Sequence, residues 1–301
     1  MNKLCLYYRK DKVKQLKTKD VDLRIDKYKV LLGHKRKSKE LFLKQLFSSF
    51  QKRNSSDYQE EVQKFEYIKL NEREVNLKEN TLYLIHPWID LDDELKLGSK
   101  SIFLKHIETL LMEIEFDDQY MMLKQVIGLF EEETLNQKHQ INFDSISLRY
   151  RMNELNTKLF SKLIEVIMYK EDEQAISLDL SYDETVVFII KTINEIARQH
   201  FHLEFWIVIV KSEIDSSLLR IIEGAERNVH IIIDSEVLMT QINIDNIVYF
   251  GNTVTDFSDP QQCYELMIRL HQEYTSLEGF KENIQQNIEQ NLNNHGILKQ
   301  L

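Results

Sequence analysis

Two short runs of the sequence are apolar at nearly every position, and they constrain the fold more than any other feature. They are Phe205–Val210, which reads FWIVIV, and Val229–Ile233, which reads VHIII. A strand with one face in water alternates apolar and polar residues, whereas a continuous apolar run is typical of a strand that is covered on both faces. Such strands occur in parallel sheets flanked by helices. The sequence therefore predicts an α/β fold.

Other runs of strand length place the rest of this sheet early and late in the chain. They are rich in β-branched and aromatic residues and cover Lys3–Tyr8, Tyr28–Leu32, Lys64–Leu70, Thr81–Ile85 and Ile247–Phe250. Helix-spaced apolar residues lie at Lys39–Gln51, Glu184–Gln199 and Ser216–Glu226, with Asp183 and Asp215 at the N-cap positions of the last two. We predict a P-loop-ATPase-like, parallel-rich sheet flanked by helices, in a discontinuous head domain of residues 1–98 and 174–258.

The middle of the chain has a different pattern. Long amphipathic helical periods replace the strand runs between Lys100 and Lys170, with breaks near residues 116–118 and 137–147. The last of these periods, Met152–Tyr169, has one broad apolar face that suits either a core or an oligomer contact. We predict an inserted α-helical lobe over residues 99–173. A C-terminal helical extension with a frayed, Gln/Asn-rich end is predicted over residues 259–301.

The charge of the chain is unevenly distributed. Residues 1–53 carry 17 Lys and Arg against 5 Asp and Glu, a net charge of +12, and the remaining residues carry 22 against 44, a net charge of −22. A confined basic surface suits a polyanionic partner such as nucleic acid, while the acidic remainder limits nonspecific contacts. The alternative is a solvated basic face that pairs with acidic groups elsewhere in the fold.

Cysteine content and hydropathy bear on location. Only Cys5 and Cys263 are present, which excludes a disulfide framework and a cysteine-based zinc site of the usual spacing. No run approaches the roughly 18 apolar residues of a membrane span. We expect a cytoplasmic protein without a membrane partner.

A basic segment follows the predicted strand Tyr28–Leu32. Gly33–Glu40 reads GHKRKSKE, where a phosphate-binding loop requires GxxxxGK followed by Ser or Thr. Ser38 stands where that loop has its second glycine, and Glu40 stands where it has the hydroxyl that binds Mg²⁺. Nucleotide hydrolysis is therefore not expected. A helix N-terminus remains, with four cations that suit a DNA backbone: Lys35, Arg36, Lys37 and Lys39. The alternative is a surface loop without a ligand.

The run Ile231–Glu236 ends an apolar strand with an Asp, as in the Mg²⁺-binding strand of nucleotide hydrolases. An Asp or Ser after a strand is more commonly an N-cap. The sequence contains no nucleophile elbow, zinc-protease signature or catalytic Cys/His pattern. We predict no enzyme and no catalytic residue.

Acidic groups lie at both crossings into the helical lobe. Glu171–Glu173 is followed by Asp179–Glu184, and Asp90–Glu94 marks the other crossing. Carboxylate oxygens at this density can hold Ca²⁺, although the spacing is not that of a helix-loop-helix calcium site. Solvated charge plus an Asp183 N-cap is the alternative.

These features together resemble a known family, the spacer-acquisition ring proteins of type II-A CRISPR loci (the Csn2 family), and its long-form members in particular. The resemblance is carried by the split α/β layer with an inserted lobe and by three stretches of sequence. These are Leu82–Ile85 leading to Ile89–Asp92, Met152–Tyr169 leading to Glu171–Glu173, and Asp179–Val186.

The resemblance implies a function in CRISPR adaptation. It implies a homotetrameric ring that binds double-stranded DNA ends independently of sequence, alongside other CRISPR adaptation proteins and the CRISPR effector nuclease. It also implies Ca²⁺ as a cofactor, which we place on Glu171, Asp179, Asp183 and Glu184. Two alternatives from other classes remain: a nucleotide-binding, ATPase-like enzyme with a divergent phosphate loop, and a scaffold that binds proteins through its helical lobe.

Overall fold

The chain forms two compact units, Met1–Ile89 with Leu180–Leu301, and Asp90–Asp179. The computed structural model describes residues 14–18, 21–33, 35–50, 68–91, 118–136, 141–143, 146–148, 180–211, 213–238, 242–270 and 276–290, with a few further residues between 101 and 174. The predicted strand at Lys3–Tyr8 lies outside the described residues.

A six-stranded sheet forms the centre of the first unit. Its strands, in spatial order, are β16 (Val254–Asp256), β15 (Ile247–Phe250), β3 (Tyr28–Leu32), β13 (Val229–Asp234), β11 (Glu204–Val210) and β6 (Asn80–Ile85). Every neighbouring pair is parallel except β15 with β16. The continuous apolar runs therefore form central parallel strands, as predicted, because side chains on both faces are buried.

Four helices of the first unit follow or connect these strands. They are α1 (Arg36–Ser49), α3 (Tyr182–Gln199), α4 (Ser216–Glu223) and α5 (Pro260–Arg269), and a further helix, α6, covers Leu277–Gln290. The predicted mixed α/β class with a parallel-rich sheet is confirmed. Its closer likeness to P-loop ATPases stays a prediction.

A small antiparallel sheet also belongs to this unit. It contains β1 (Lys14–Lys17), β2 (Asp22–Ile25), β4 (Lys69–Leu70) and β5 (Arg73–Glu74), in the order β2-β1-β4-β5. Leu16, Leu23 and Ile25 of this sheet pack with Phe42 of α1 in one apolar cluster with Trp206 of the large sheet and its neighbours. One face of the large sheet is thus covered by α1 and the small sheet, while α3 contacts β11 and β13. Two further short strands, β12 (Glu213–Ile214) and β14 (Val237–Leu238), pair in parallel.

The N-terminus of α3 corrects one prediction. Ser181, not Asp183, is the N-cap, and it forms a capping box in which its hydroxyl accepts from Glu184 N–H while the Glu184 carboxylate accepts from Ser181 N–H. A serine three residues before a glutamate is the signal for this cap. The predicted Asp215 cap of α4 is confirmed, because its carboxylate accepts from Leu218 N–H at 2.8 Å.

The second unit is less purely helical than predicted. Its elements include α2 (Asp118–Leu129), a π-helical segment (Phe130–Asn136) and two short antiparallel pairs, β7 (Ile141–Phe143) with β8 (Ile146–Leu148) and β9 (Tyr169–Lys170) with β10 (Glu173–Gln174). The predicted helix Met152–Tyr169 is wrong at its C-terminal end, where Ile164 and Val166 are not helical and Tyr169 is in a strand. The rest of that helix lies outside the described residues.

The C-terminal region is helical, as predicted. Helix α6 continues to Gln290, and its Phe280 and Ile284 are buried. Gln285 donates a hydrogen bond to the carbonyl of Ile242, and Lys281 forms an ion pair with Asp245 at 2.6 Å. Helix α6 therefore packs against the segment that enters β15.

Candidate nucleic-acid interface

The parallel strands of the large sheet end at a common level. Ile85, Ile209, Ile233 and Val30 are in register across β6, β11, β13 and β3. The segments that leave these strands form one surface, which we name the carboxyl edge. Open α/β sheets bind their ligands outside this end of their strands.

The turn from β3 into α1 is short and tightly held. Gly33 has φ of +127°, and a Cβ at this position would lie 2.4 Å from the carbonyl oxygen of Phe250 in β15. The N–H of Lys35 donates to the same carbonyl at 3.1 Å. Helix α1 begins at Arg36, so only three residues separate strand from helix. The backbone of Arg36–Ser38, which would wrap phosphates in a working phosphate loop, is helical here.

Lys39 is buried, and its ammonium has partners inside the fold. It lies 2.6 Å from Asp234 Oδ1 at the end of β13, and it donates to the carbonyl of Ser235 at 3.2 Å. The sequence predicts a DNA contact for Lys39, whereas in the structure its ammonium forms an ion pair with the Asp234 carboxylate. The charge of Lys39 is therefore compensated within the protein, and we leave it out of the surface that faces a ligand.

The other three predicted cations lie on the surface at the N-terminus of α1. Lys35, Arg36 and Lys37 are exposed, and no side chain caps the helix. Arg36 forms an ion pair with Glu236, which follows β13. Among the residues that the structure describes, no carboxylate lies within ion-pair distance of Lys35 or Lys37. These cations and the partial positive charge of the helix N-terminus both attract an anion.

The predicted calcium ligands have partners within the protein where they are described. Asp183 Oδ1 lies 2.5 Å from Lys211 Nζ, and Glu184 accepts from both the N–H and the hydroxyl of Ser181. These hydrogen bonds lower the pKa of Glu184. Glu171 and Asp179 lie outside the described residues.

Calcium prefers six to eight oxygen ligands, of which the described part of this set supplies two carboxylates that already hold protein donors. Calcium at Asp183 would share that carboxylate with Lys211. Within the described ranges no group of three or more potential metal-ligating side chains occurs.

A buried charged network, which no sequence pattern predicts, joins the small sheet to the large one. Glu204 of β11 accepts from Lys14 of β1 and lies 2.9 Å from Nε2 of His230 in β13. The other ring nitrogen, Nδ1, is 3.0 Å from the carbonyl oxygen of Asp26. Both ring nitrogens of this buried histidine therefore lie within hydrogen-bond distance of an oxygen atom.

An open cleft of about 770 Å³ lies at the opposite, amino end of the strands. Its charged lining includes Arg24, Lys29 and Asp245. Lys29 is buried and bonded to Asp256 at 2.5 Å, and Arg24 lies 3.6 Å from Asp259. Burial lowers the pKa of Lys29, and the charge of Asp256 opposes that shift. Because these cations already have carboxylate partners, the cleft attracts an anion less strongly than the carboxyl edge does.

Comparisons with known proteins identify a solved structure of similar fold. No protein-family model matches the chain, and no curated protein matches it in sequence. A crystal structure of Stu0660 of Streptococcus thermophilus is similar in fold, with a TM-score of 0.56 and 13% sequence identity. The similarity covers 91% of this chain and 84% of Stu0660. The two proteins thus share an α/β architecture over most of their length.

The described helices were also compared with the length of a membrane span. None of them is both long enough and apolar enough to cross a bilayer.

Proposed function

We propose that this protein acts in CRISPR adaptation by binding the ends of double-stranded DNA without reading their sequence, as a ring-shaped homotetramer. The observation that carries the proposal is the exposed set Lys35, Arg36 and Lys37 at the N-terminus of α1. Phosphates are the same at every base pair, so cations that meet only phosphates bind without sequence preference.

The fold comparison supports a CRISPR-related role in outline. Stu0660 is a Csn2-like protein, and the fold likeness fits the resemblance that the sequence has to that family. The proposal accordingly includes other CRISPR adaptation proteins and the CRISPR effector nuclease as partners. Light scattering of the purified protein tests the tetramer directly, and a monomeric mass at every concentration contradicts it.

We further propose that the protein has no catalysis of its own. In nucleotide hydrolases a lysine at the position of Lys39 holds phosphate, and an aspartate at the position of Asp234 holds Mg²⁺. Here the two side chains neutralise each other at 2.6 Å. Neither is then available to a nucleotide without the loss of a buried ion pair, which is costly.

The experiment that tests DNA binding compares charge reversals on opposite edges of the sheet. The double variant Lys35→Glu/Lys37→Glu should bind linear duplex at least about tenfold more weakly at moderate salt. The slope of log affinity against log salt should fall by about two, because two phosphate contacts are lost. Lys78→Glu is the matched control, since Lys78 is exposed and precedes β6 at the amino edge.

The same titration distinguishes ends from interior DNA. Wild-type protein should bind unrelated linear duplexes equally and prefer them to closed circles. Equal losses for the two sets of charge reversals would move the DNA surface away from α1. Tight binding to closed circles, or no binding to either form at low salt, would overturn the proposed function.

We also propose that DNA binding requires calcium held by Glu171, Asp179, Asp183 and Glu184. The test measures DNA affinity in calcium and in a calcium chelator. A requirement for calcium that Asp179→Asn abolishes supports the site, whereas equal affinity in both buffers removes calcium from the proposal.

A second candidate function is nucleotide binding, and one observation favours it. Lys39, in the first turn of α1 after β3, lies beside Asp234 at the end of the adjacent parallel strand β13, where open α/β sheets hold nucleotides. Isothermal titration with Mg-ATP separates the two candidates. Micromolar binding with turnover would favour the enzyme, and absence of heat would favour the DNA-binding protein.

A further inference from the structure

Trp88 is the most exposed large apolar side chain among the residues that the structure describes, at 83% of its full exposure. Tryptophan is large and apolar, so a protein gains much by burying it and seldom leaves it so open. Exposed aromatic side chains are the common means by which proteins hold unpaired or terminal bases, because every base has a flat face on which an aromatic ring stacks.

The backbone around Trp88 is held in one conformation. Ile89 N–H donates to the carbonyl of His86 at 3.0 Å, and Trp88 N–H donates to Nδ1 of His86 at 3.1 Å. Pro87 fixes its own φ between them. The rings of His86 and Trp88 are 5.9 Å apart. The tryptophan therefore stands on a hydrogen-bonded turn that presents it to solvent.

Trp88 lies on the same edge of the sheet as the proposed phosphate contacts. It follows the carboxyl end of β6, whereas Lys35 and Lys37 follow the carboxyl end of β3, and the two strands are in register through β11 and β13. Three inter-strand spacings, or about 14 Å, separate the carboxyl ends of β6 and β3. The ends of these two strands are therefore a few nucleotide steps of about 3.4 Å apart along one DNA strand.

Three ion pairs involve the segments that leave β13 and β11. Asp234 is bonded to Lys39, Glu236 to Arg36, and Asp183 to Lys211. The carboxyl edge thus has a cationic end at Lys35 and Lys37, to which the described residues bring no carboxylate, a middle that contains these ion pairs, and an aromatic end at Trp88. Phosphates are attracted to the cationic end, and an uncharged base suits the aromatic end.

We infer that Trp88 stacks on the terminal base pair of a bound duplex and so makes the protein prefer DNA ends, while Lys35 and Lys37 hold phosphates further inward. This inference rests on the proposed function and assigns its end preference to one residue. A duplex without an end offers no exposed base face, so the tryptophan adds nothing to its binding.

Two fluorescence measurements test the inference on the full-length protein. The first uses short blunt duplexes with 2-aminopurine either as the terminal base or in the interior. Wild-type protein should change the emission of the terminal probe and leave the interior probe unaffected. The second uses iodide quenching of tryptophan. The only other tryptophan, Trp206, is fully buried, so iodide reports on Trp88. Linear DNA should protect Trp88 from iodide, and closed circles should not.

The variants separate stacking from phosphate binding. Trp88→Ala should lose the terminal-probe signal and about tenfold in affinity for linear duplex, the range expected for one stacked base. Its affinity for closed circles and its salt slope should stay as in wild type. Trp88→Phe should retain most of the end preference. Phe201→Ala is the matched control, because Phe201 is also exposed and precedes β11 at the amino edge.

The outcomes are distinguishable from failure of the proposed function. Wild-type protein that binds no DNA overturns both. Salt-dependent binding to linear DNA with the same end preference in wild type and Trp88→Ala overturns the inference and leaves the proposed function standing. That second result would also be expected if Trp88 contacts another protein instead of DNA.

Discussion

The ion pair between Arg36 and Glu236 lies within the proposed DNA surface and competes with phosphate for Arg36. Both side chains are largely exposed, so the pair itself contributes little to stability. Glu236→Gln should release Arg36 and remove one negative charge from the approach of the DNA. We expect affinity to rise about two- to fivefold, the range of one exposed ion pair, with a salt slope about one unit steeper.

The measurement is a salt titration of duplex binding together with a thermal melt. The melting temperature should stay within a degree or two of wild type, since no buried contact changes. Glu79→Gln is the control, because Glu79 is exposed beside Lys78 at the amino edge. An equal gain in both variants would mean that net charge acts at long range, and the pair with Arg36 would then have no particular role.

Glu204 links protonation to folding in the buried network. Burial raises the pKa of this carboxyl, but hydrogen bonds from His230 and Lys14 together outweigh burial, so the pKa lies below its usual value of 4.5. A group whose folded-state pKa is lowered stabilises the fold above the unfolded-state pKa, and this stabilisation is lost as the pH falls through the folded-state value.

Glu204→Gln should therefore lower the free energy of unfolding by about 3–5 kcal/mol at neutral pH, because it leaves two buried donors without their counter-charge. The difference from wild type should stay constant down to about pH 4.5 and shrink below it. Urea denaturation at a series of pH values measures this. A difference that does not change on acidification would mean that the ionised carboxylate is not the stabilising form.

At the scale of elements, the turn from β3 into α1 depends on one glycine. Gly33→Ala would put a methyl group 2.4 Å from the carbonyl oxygen of Phe250, in a backbone region that only glycine adopts readily. We expect a loss of about 2–4 kcal/mol in stability and a shift of α1 that weakens DNA binding. Gly128→Ala is the matched control, since a Cβ there meets nothing within 4 Å. Equal melting temperatures for the two variants would contradict this.

Which elements the sequence predicts depends on how far their burial determines composition. Strands β11 and β13 are covered on both faces, so nearly every residue must be apolar, and the pattern is unmistakable. Strands β1 and β2 are covered on one face, four residues long and mixed with lysine, arginine and aspartate. The alternation of Val21, Leu23 and Ile25 is their only signal, and it is too short to separate a strand from a loop.

The location of the candidate site could be predicted from the sequence, but the ion pair within it could not. A glycine and four cations after an apolar strand identify the N-terminus of α1 from the sequence. The partner of Lys39 could not be identified, because Asp234 lies at the end of a strand almost two hundred residues later and only the strand order brings them together. Trp88 carried no sequence signal either, since exposure after a strand end is decided by what packs around it.

At the scale of the whole molecule, the first compact unit depends on contacts between the early and late parts of the chain. Asp256 in β16 is fully buried and accepts from the N–H of Arg24 in β2 and from the ammonium of Lys29 in β3. Ser258 donates to the same carboxylate through its N–H and its hydroxyl. One carboxylate therefore ties the small sheet, the large sheet and the segment before α5.

Asp256→Asn should cost about 3–5 kcal/mol at neutral pH, because Lys29 would stay buried without a counter-charge. Lys29→Met should cost less, since the Asp256 carboxylate would keep three protein donors.

Burial already lowers the pKa of Lys29 and Asp256 opposes this, so removing Asp256 lowers that pKa further. Between the lowered pKa of Lys29 in the folded variant and its pKa in the unfolded chain, the unfolded chain binds a proton that the folded protein lacks. The stability of the variant therefore rises with pH over this range. The deficit of Asp256→Asn should therefore shrink as the pH rises toward 10.5, the usual value for lysine. Denaturation curves from neutral to alkaline pH measure it, and a deficit that grows with pH would show that Lys29 is not the group left uncompensated.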